Sequence, residues 1–308
     1  MPSRFTLRQL EYFIAVGELG SIAQASEKVN VSSPSISAAI SQLEKEFGIP
    51  LFVRQHAQGL SLTQAGRRMM EQVTLILRET DYLVDLAGDI SGTVRGPLNI
   101  GCLVTFAQVV LPSVRRSFET EFQDVRISQF ELNQAEIFSS LRRAEIDVAL
   151  TYNLDLPADL VFESLVELPP YVVVAQDHPL AAETSISAEE LVNYPMVLLD
   201  LPFSSEYFLS FFTGLEIKPH IAERTKDMAV MRSLVANGFG YSIANIRPLN
   251  DLSPDGKPLK FISMHGSVRP MHMGLLMPTD AERANVIRAF VGHCKHQHDI
   301  GEFPGLGG

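Results

Sequence analysis

The chain has 308 residues, of which 46% are hydrophobic, with a formal net charge of −11 and two cysteines. That is length for about two domains and a linker, and no uninterrupted apolar run approaches the roughly 18 residues of a membrane span. Met1-Pro2-Ser3-Arg4-Phe5-Thr6 carries no signal-peptide core, so the expected compartment is the cytoplasm; Cys102 and Cys294, far apart and outside any CxxC or Cys/His cluster, argue against a disulfide framework or a metal site and for two buried, inert thiols.

The acidity is uneven. Residues 1–78 hold eight Lys and Arg against six Glu, a net +2, which leaves −13 for the other 230 residues. Only the front end can approach a polyanion, and it is weakly basic. Phosphate affinity from one copy is therefore low, and tight binding requires several copies on one site.

In chain order, Leu10, Phe13 and Val16 mark a first helix. Ser21 caps a second that buries Ala25 and Val29, and the polar break Asn30-Val31-Ser32-Ser33 leads to Pro34, in a first turn that needs no N–H. Ile36, Ile40, Leu43 and Phe47 then make one apolar stripe. The opposite face carries Ser33, Ser35, Ser37, Ala38, Ser41 and Gln42, small enough to approach a groove of double-stranded DNA closely, and Gly48 ends the helix. This is a helix-turn-helix whose second helix reads. Leu51–Arg54 and Leu60–Leu62 flank a polar tip as a hairpin, a wing that sets Arg54, Gln55 and His56 against phosphate.

These pieces resemble the LysR-type transcriptional regulators. Ser32–Ser37 stands for that family's S-Q-P-A-L-S run, Gly48–Arg54 for its G-x-x-L-F-x-R, and Leu62–Gly66 for its L-T-x-A-G. Ser33 replaces a common Gln and Ala38 a common Arg, so the target sequence does not transfer. The resemblance implies DNA contacts at Ser32, Ser33, Pro34, Ser35, Ser37, Ala38, Ser41, Gln42, Arg54, Gln55 and Thr63.

Thr63 caps a long helix to residue 91. Met69, Val73, Ile76, Thr80, Leu83, Ala87 and Ile90 alternate at spacings of four and three, the seam of a coiled coil. In the family this helix pairs two chains, and dimers join into a homotetramer. RNA polymerase is a further expected partner.

From Gly96 strands and helices alternate. Strand 98–102, helix 106–120, strand 125–130, helix 134–143 and strand 146–151 form a βαβαβ run with a parallel sheet. A second set follows: strands 165–168 and 171–175, a helix near 187–193, strand 196–199, a helix at 205–213, strand 219–223, a helix at 226–237, and strand 241–244. Strands 259–263 and 272–277 and a helix at 280–298 close the chain. Asp177–Leu180 and Val235–Gly240 continue the resemblance. It implies an α/β fold of three parts: a winged helix-turn-helix at 1–62, a dimerising linker helix at 63–91, and a periplasmic-binding-protein-like effector domain at 92–308. In that domain lobe I spans about 96–164 and 269–301, and lobe II about 165–268.

A ligand in such a fold lies beyond the carboxyl ends of strands and at helix N-termini. That rule selects Cys102, Val104, Thr105, Asn133 and Tyr152 in lobe I, and Asp200, Phe203, Ser204, Ser205, Asn245 and Arg247 in lobe II, with Phe106 beside them for an aromatic ring. Thr105, Asn133, Ser204 and Ser205 also read as plain helix caps, and Asp200 and Glu131 oppose an anion. A solute-binding protein on the same lobes is the alternative, and the front 90 residues argue against it. No nucleophile–base pairing, Gly-rich phosphate loop or metal-ligand spacing among the eight His suggests an enzyme, and no cofactor is expected. The function expected is a sequence-specific regulator answering to a small-molecule effector.

Overall fold

The computed structural model describes residues 4–55, 59–91, 94–213, 215, 218–279, 281 and 284–299, with backbone alone for Arg54, Gln55, Asp81, Tyr82 and 84–91. Two compact units emerge, one of Met1–Ser91 with Arg143–Glu145 and one of Gly92–Arg142 with Ile146–Gly308. Among the described residues no helix is long and apolar enough to cross a membrane.

In the first unit α1 (Leu7–Leu19) opens on a capping box: the Thr6 hydroxyl accepts from the Gln9 N–H, and the Gln9 side chain accepts from the Thr6 N–H at 2.8 Å. Ser21 caps α2 (Ile22–Val29) and Ser32 caps α3 (Ser33–Phe47). Ile36, Ala39, Ile40 and Leu43 of α3 bury against Leu10, Phe13 and Val16 of α1 and Ala25 of α2. Phe47 is only half-buried, its ring edge-on to Phe5 at 5.4 Å. Strands β1 (Phe52–Gln55) and β2 (Gly59–Leu62) pair antiparallel as the wing. His56 and the tip lie outside the described residues.

The long helix α4 (Gln64–Ser91) corrects the expected seam. Val73 is 2% exposed and packs, with Met69, Met70 and Leu77, in this unit's own core. The outward apolar side chains are Leu75, Ile76 and Leu83, the last two 44% and 64% exposed. With Gln72, Glu79 and Thr80 they line an open groove of about 490 Å³. Seven-residue spacing alone does not say which of two apolar stripes stays inside the chain. Ala87 and Ile90 lie where only backbone is described.

The second unit holds two sheets. In lobe I, β3 (Gly96–Leu103), β4 (Val125–Leu132), β5 (Val148–Tyr152), β6 (Leu160–Leu168) and β13 (Met271–Pro278) lie in the order β4-β3-β5-β13-β6. The first three are parallel, as the βαβαβ pattern requires, and β13 is antiparallel to both its neighbours. Residues 165–168, expected to open lobe II, are the end of β6 and pair with β13. Alternation identifies a strand but not the sheet it joins. The expected helix 106–120 is two, α5 (Val104–Ala107) and α6 (Leu111–Glu121), because Pro112 must occupy a first turn. Helices α7 (Gln134–Arg142) and α11 (Asn285–Asp299) complete the lobe.

Lobe II contains β7 (Tyr171–Ala175), β8 (Ser185–Ile186), β11 (Ser242–Ala244) and β12 (Leu259–Met264) in the order β11-β7-β12-β8. A parallel pair, β9 (Pro195–Leu199) and β10 (His220–Thr225), attaches through a bridge between Met196 and Tyr241. Helices α8 (Ala188–Leu191), α9 (Ser204–Thr213) and α10 (Met228–Ala236) pack around them. Buried residues of both lobes form one continuous apolar cluster.

Candidate functional site

On α3 the side away from the core presents Pro34, Ser35, Ala38, Ser41 and Gln42 exposed and Ser33 and Ser37 half-buried. Ser32 turns its hydroxyl inward on the helix, accepting from the Ser35 N–H and pairing with the Ser35 hydroxyl at 2.8 Å. Gln42 Oε1 accepts from Gln9 Nε2 at 2.9 Å, which holds it toward α1. Thr63 is spent on structure: its hydroxyl donates to the Pro50 carbonyl at 2.8 Å and accepts from the Gly66 N–H at 2.7 Å. The side chains of Arg54 and Gln55 lie outside the description. Glu44, assigned no role from sequence, accepts from the N–H groups of Leu51 and Phe52 at 2.7 and 3.2 Å. It thereby fixes the wing to the end of α3. What results is an exposed, small-residue helix face, the form a helix needs to enter a groove.

The second site lies where the two chain crossovers leave lobe I. The C-terminal ends of β3, β4, β5 and β6 and the N-terminal end of β13 share one edge of that sheet. Thr105, Asn133 and Tyr152 all belong to this edge. Thr105 and Tyr152 are buried; the Thr105 Oγ1 lies beside the Tyr152 phenol without a hydrogen bond of good geometry. Burial raises the Tyr152 phenol well above its ordinary range. Phe106 is fully buried with its ring 4.5 Å from that of Tyr152, so the two fill each other's space and leave none between them for an aromatic guest. Asn133 caps α7: its Oδ1 accepts from the Glu136 N–H, and its own N–H donates to Glu136 Oε2. Cys102 is buried, and desolvation, with Glu131 adding, raises its thiol well above the usual value; burial does the same to Cys294. Both thiols are thereby shifted away from the reactive thiolate. Val104 is half-buried at the head of α5.

Lobe II answers with the head of α9. Ser204 and Ser205 are buried, and the Ser205 hydroxyl donates to Glu206 Oε2 at 3.2 Å. Phe203 holds a left-handed backbone, φ 65°, which is strained for a bulky residue. Its ring sits 5.7 Å from Phe138 of α7, spanning the two lobes. Asp200 pairs with Arg224 at 3.1 Å, which offsets the repulsion of an anion expected there. Asn245 is buried and donates from Nδ2 to the Leu168 carbonyl at 2.7 Å and to the Tyr207 hydroxyl at 3.1 Å. Tyr207 in turn donates to the Arg269 carbonyl at 2.5 Å, so one pair of lobe II side chains grips both crossovers. Burial, eased by the Asn245 hydrogen bond, pushes the Tyr207 phenol up to about 12. Arg247 stands apart from this group: its guanidinium lies 4.6 Å over the Phe261 ring and bonds Asp251 at 3.3 Å.

Two residues of this edge were not expected from sequence. Gln134 is fully buried and donates from Nε2 to the carbonyls of Tyr152 and Leu154. Its signal was available: it is a polar residue on the same helical face as Ile137, Phe138 and Leu141. Tyr207 follows Phe203 by four residues and so shares its face.

Two family models match the chain, the bacterial regulatory helix-turn-helix protein of the lysR family over residues 7–67 and the LysR substrate binding domain over residues 91–299. The transcriptional activator protein LysR of Escherichia coli K12 is 26% identical over 290 residues, 94% of this chain and 92% of that protein. The crystal structure of the LysR-family PA01 protein from Pseudomonas aeruginosa covers 96% of this chain and 99% of that one, at 31% identity and a TM-score of 0.64. CbnR bound to its target DNA shares the fold, with 22% identity, 95% and 99% coverage and a TM-score of 0.66. Helix-turn-helix and two-lobed domain thus stand in one known order, and the chain belongs to the LysR family, as a DNA-binding transcriptional regulator with an effector-binding domain.

Proposed function

We propose that two chains pair along α4 and that two such pairs occupy one operator, each α3 in a major groove and each wing on phosphate. The carrying observation is the exposed Leu75–Ile76–Leu83 groove on α4, an apolar surface outside the core of its own unit. The near-neutral head supports the same reading, because pairing multiplies weak phosphate contacts. Under this reading residues 1–62 read DNA, 63–91 pair chains, and 92–308 sense. CbnR, solved full-length with its target DNA, is a relative in fold that acts on DNA. Of the candidate contacts, Ser33, Pro34, Ser35, Ser37, Ala38, Ser41 and Gln42 read bases, and Arg54 and Gln55 meet phosphate. Ser32 and Thr63 serve chiefly by holding helix ends.

The effector enters the cleft between α7 and α9 and alters the angle of the lobes, which the assembly passes to the reading heads. Thr105, Tyr152, Phe203, Ser204, Ser205 and Asn245 form its walls. The regulator works in the cytoplasm, without enzymatic activity, and RNA polymerase is its partner at the promoter.

The decisive experiment is Ser37→Glu. A carboxylate on the reading face repels phosphate and should abolish specific binding to the chain's own promoter region in a gel shift, with the circular dichroism spectrum native. Unchanged affinity would remove α3 from the groove.

A further inference from the structure

We infer that the effector presents hydrogen-bond donors, N–H or O–H, to two buried amide oxygens, Asn245 Oδ1 and Gln134 Oε1; this rests on the cleft reading above and names the chemistry that fills it. Both side chains are almost wholly enclosed, at 4% and 0% exposure, and both oxygens lack a partner. Their orientation is forced. Asn245 Nδ2 serves the Leu168 carbonyl and the Tyr207 hydroxyl, and Gln134 Nε2 serves the carbonyls of Leu154, at 2.5 Å, and Tyr152, at 3.3 Å. Turning either amide over would set its oxygen against a carbonyl oxygen. The unmatched atoms are therefore acceptors.

The groups that the two amides hold lie at the same edge of the lobe I sheet. The groups that Gln134 holds end β5, the group that Asn245 holds ends β6, and only β13 separates those strands. The Tyr207 hydroxyl beside Asn245 cannot serve as the donor, because its proton goes to the Arg269 carbonyl. The unmatched hydroxyls of Thr105 and Thr151 can donate or accept, so they do not discriminate. A ligand with acceptors only, such as a bare carboxylate, leaves both amide oxygens unmet. An ammonium, a primary amide or a hydroxylated carbon matches them. One helical turn from Gln134 on α7, and one turn from Tyr207 at the head of α9, the Phe138 and Phe203 rings meet at 5.7 Å between the lobes. They provide for an apolar part.

Matched probes on the full chain test this without knowledge of the natural effector. Benzamide is compared with N,N-dimethylbenzamide, benzylammonium with benzyltrimethylammonium, and both with benzoate, by calorimetry and thermal shift at up to about 10 mM. The expected result is that an N–H-bearing probe binds tighter than its methylated twin and than benzoate by at least about tenfold. Asn245→Ser and Gln134→Met should each erase that preference. Equal or tighter binding of the methylated probes or of benzoate overturns the assignment, as does the failure of every probe to bind. A donor preference untouched by Asn245→Ser, Gln134→Met and Thr105→Val also overturns it and places the ligand outside the cleft. Benzoate bound in a manner that Thr105→Val weakens would keep the cleft and sink only the donor class.

Discussion

In the first unit the polar side chains of the functional face reach water, and those that bond do so locally, Ser32 on Ser35, Thr63 on Gly66 and Pro50, Gln42 on Gln9. In the second unit they are buried, and Thr105, Gln134 and Asn245 each keep an atom unmatched. The difference follows from the partner. A duplex is met by a surface already solvated, which exchanges water for phosphate and base edges. A small molecule is enclosed, so its hydrogen bonds must replace those that water would have made.

The largest break in this contrast comes from spoiling the exposed apolar groove of α4. Ile76→Asp combined with Leu83→Asp places charge in water within one chain but in the seam between two. The monomer should fold normally, sediment as a smaller species and lose DNA affinity by about 100-fold or more. Retained mass would show that the groove is not a pairing surface. Val73→Asp, only three positions upstream of Ile76, should instead unfold the head, because Val73 belongs to its core.

Next in size is Glu44→Ala, which leaves the N–H groups of Leu51 and Phe52 without their carboxylate. A loss of about 2–3 kcal/mol in the first unit is expected, read as a lower melting transition of that unit. A transition unchanged in calorimetry would mean that water replaces the carboxylate.

The same contrast decides what the sequence made legible. Helix order, capping serines, the wing and the alternating lobes follow from periodicity and punctuation, which are local. The α4 seam moved off Met69 and Val73 because two apolar stripes on one helix compete for the core, and the winner depends on α1, distant in sequence. Strand β6 was placed in the wrong lobe because pairing with β13 joins residues about a hundred apart. Pro112 is a local signal of the break between α5 and α6. In the cleft, proximity to strand ends found Thr105, Tyr152 and Asn245. Gln134 and Tyr207 escaped because they look like ordinary members of amphipathic helices, and only their partners reveal their work.

Tyr207→Phe sharpens the buried half of the comparison. It removes the donor to Arg269 and the acceptor for Asn245 while keeping the ring. About 1–2 kcal/mol should be lost from the second unit, with faster amide exchange confined to residues 168–170 and 264–271. Uniform exchange, or none, would mean that the grip on the crossovers does not limit their motion.

The smallest effect is expected where a polar pair stands at the surface. Arg142 donates two hydrogen bonds to Asp159, both of 2.8 Å, and these hold the Asp159 carboxyl down at about 2 against an ordinary 3.8. The folded state thus binds that proton less readily than the unfolded chain. Its contribution is fully present above the ordinary carboxylate value and is lost as pH falls through about 2. Because both groups stand in solvent, screening leaves little of this at neutral pH. Asp159→Asn should therefore leave the melting temperature at pH 7 nearly unchanged and flatten only the acid limb between the two values, an effect that about 1 M salt removes. A large loss at pH 7 would mean that this surface pair behaves like the buried polar groups of the cleft, and the division between the two kinds of polar site would fail there.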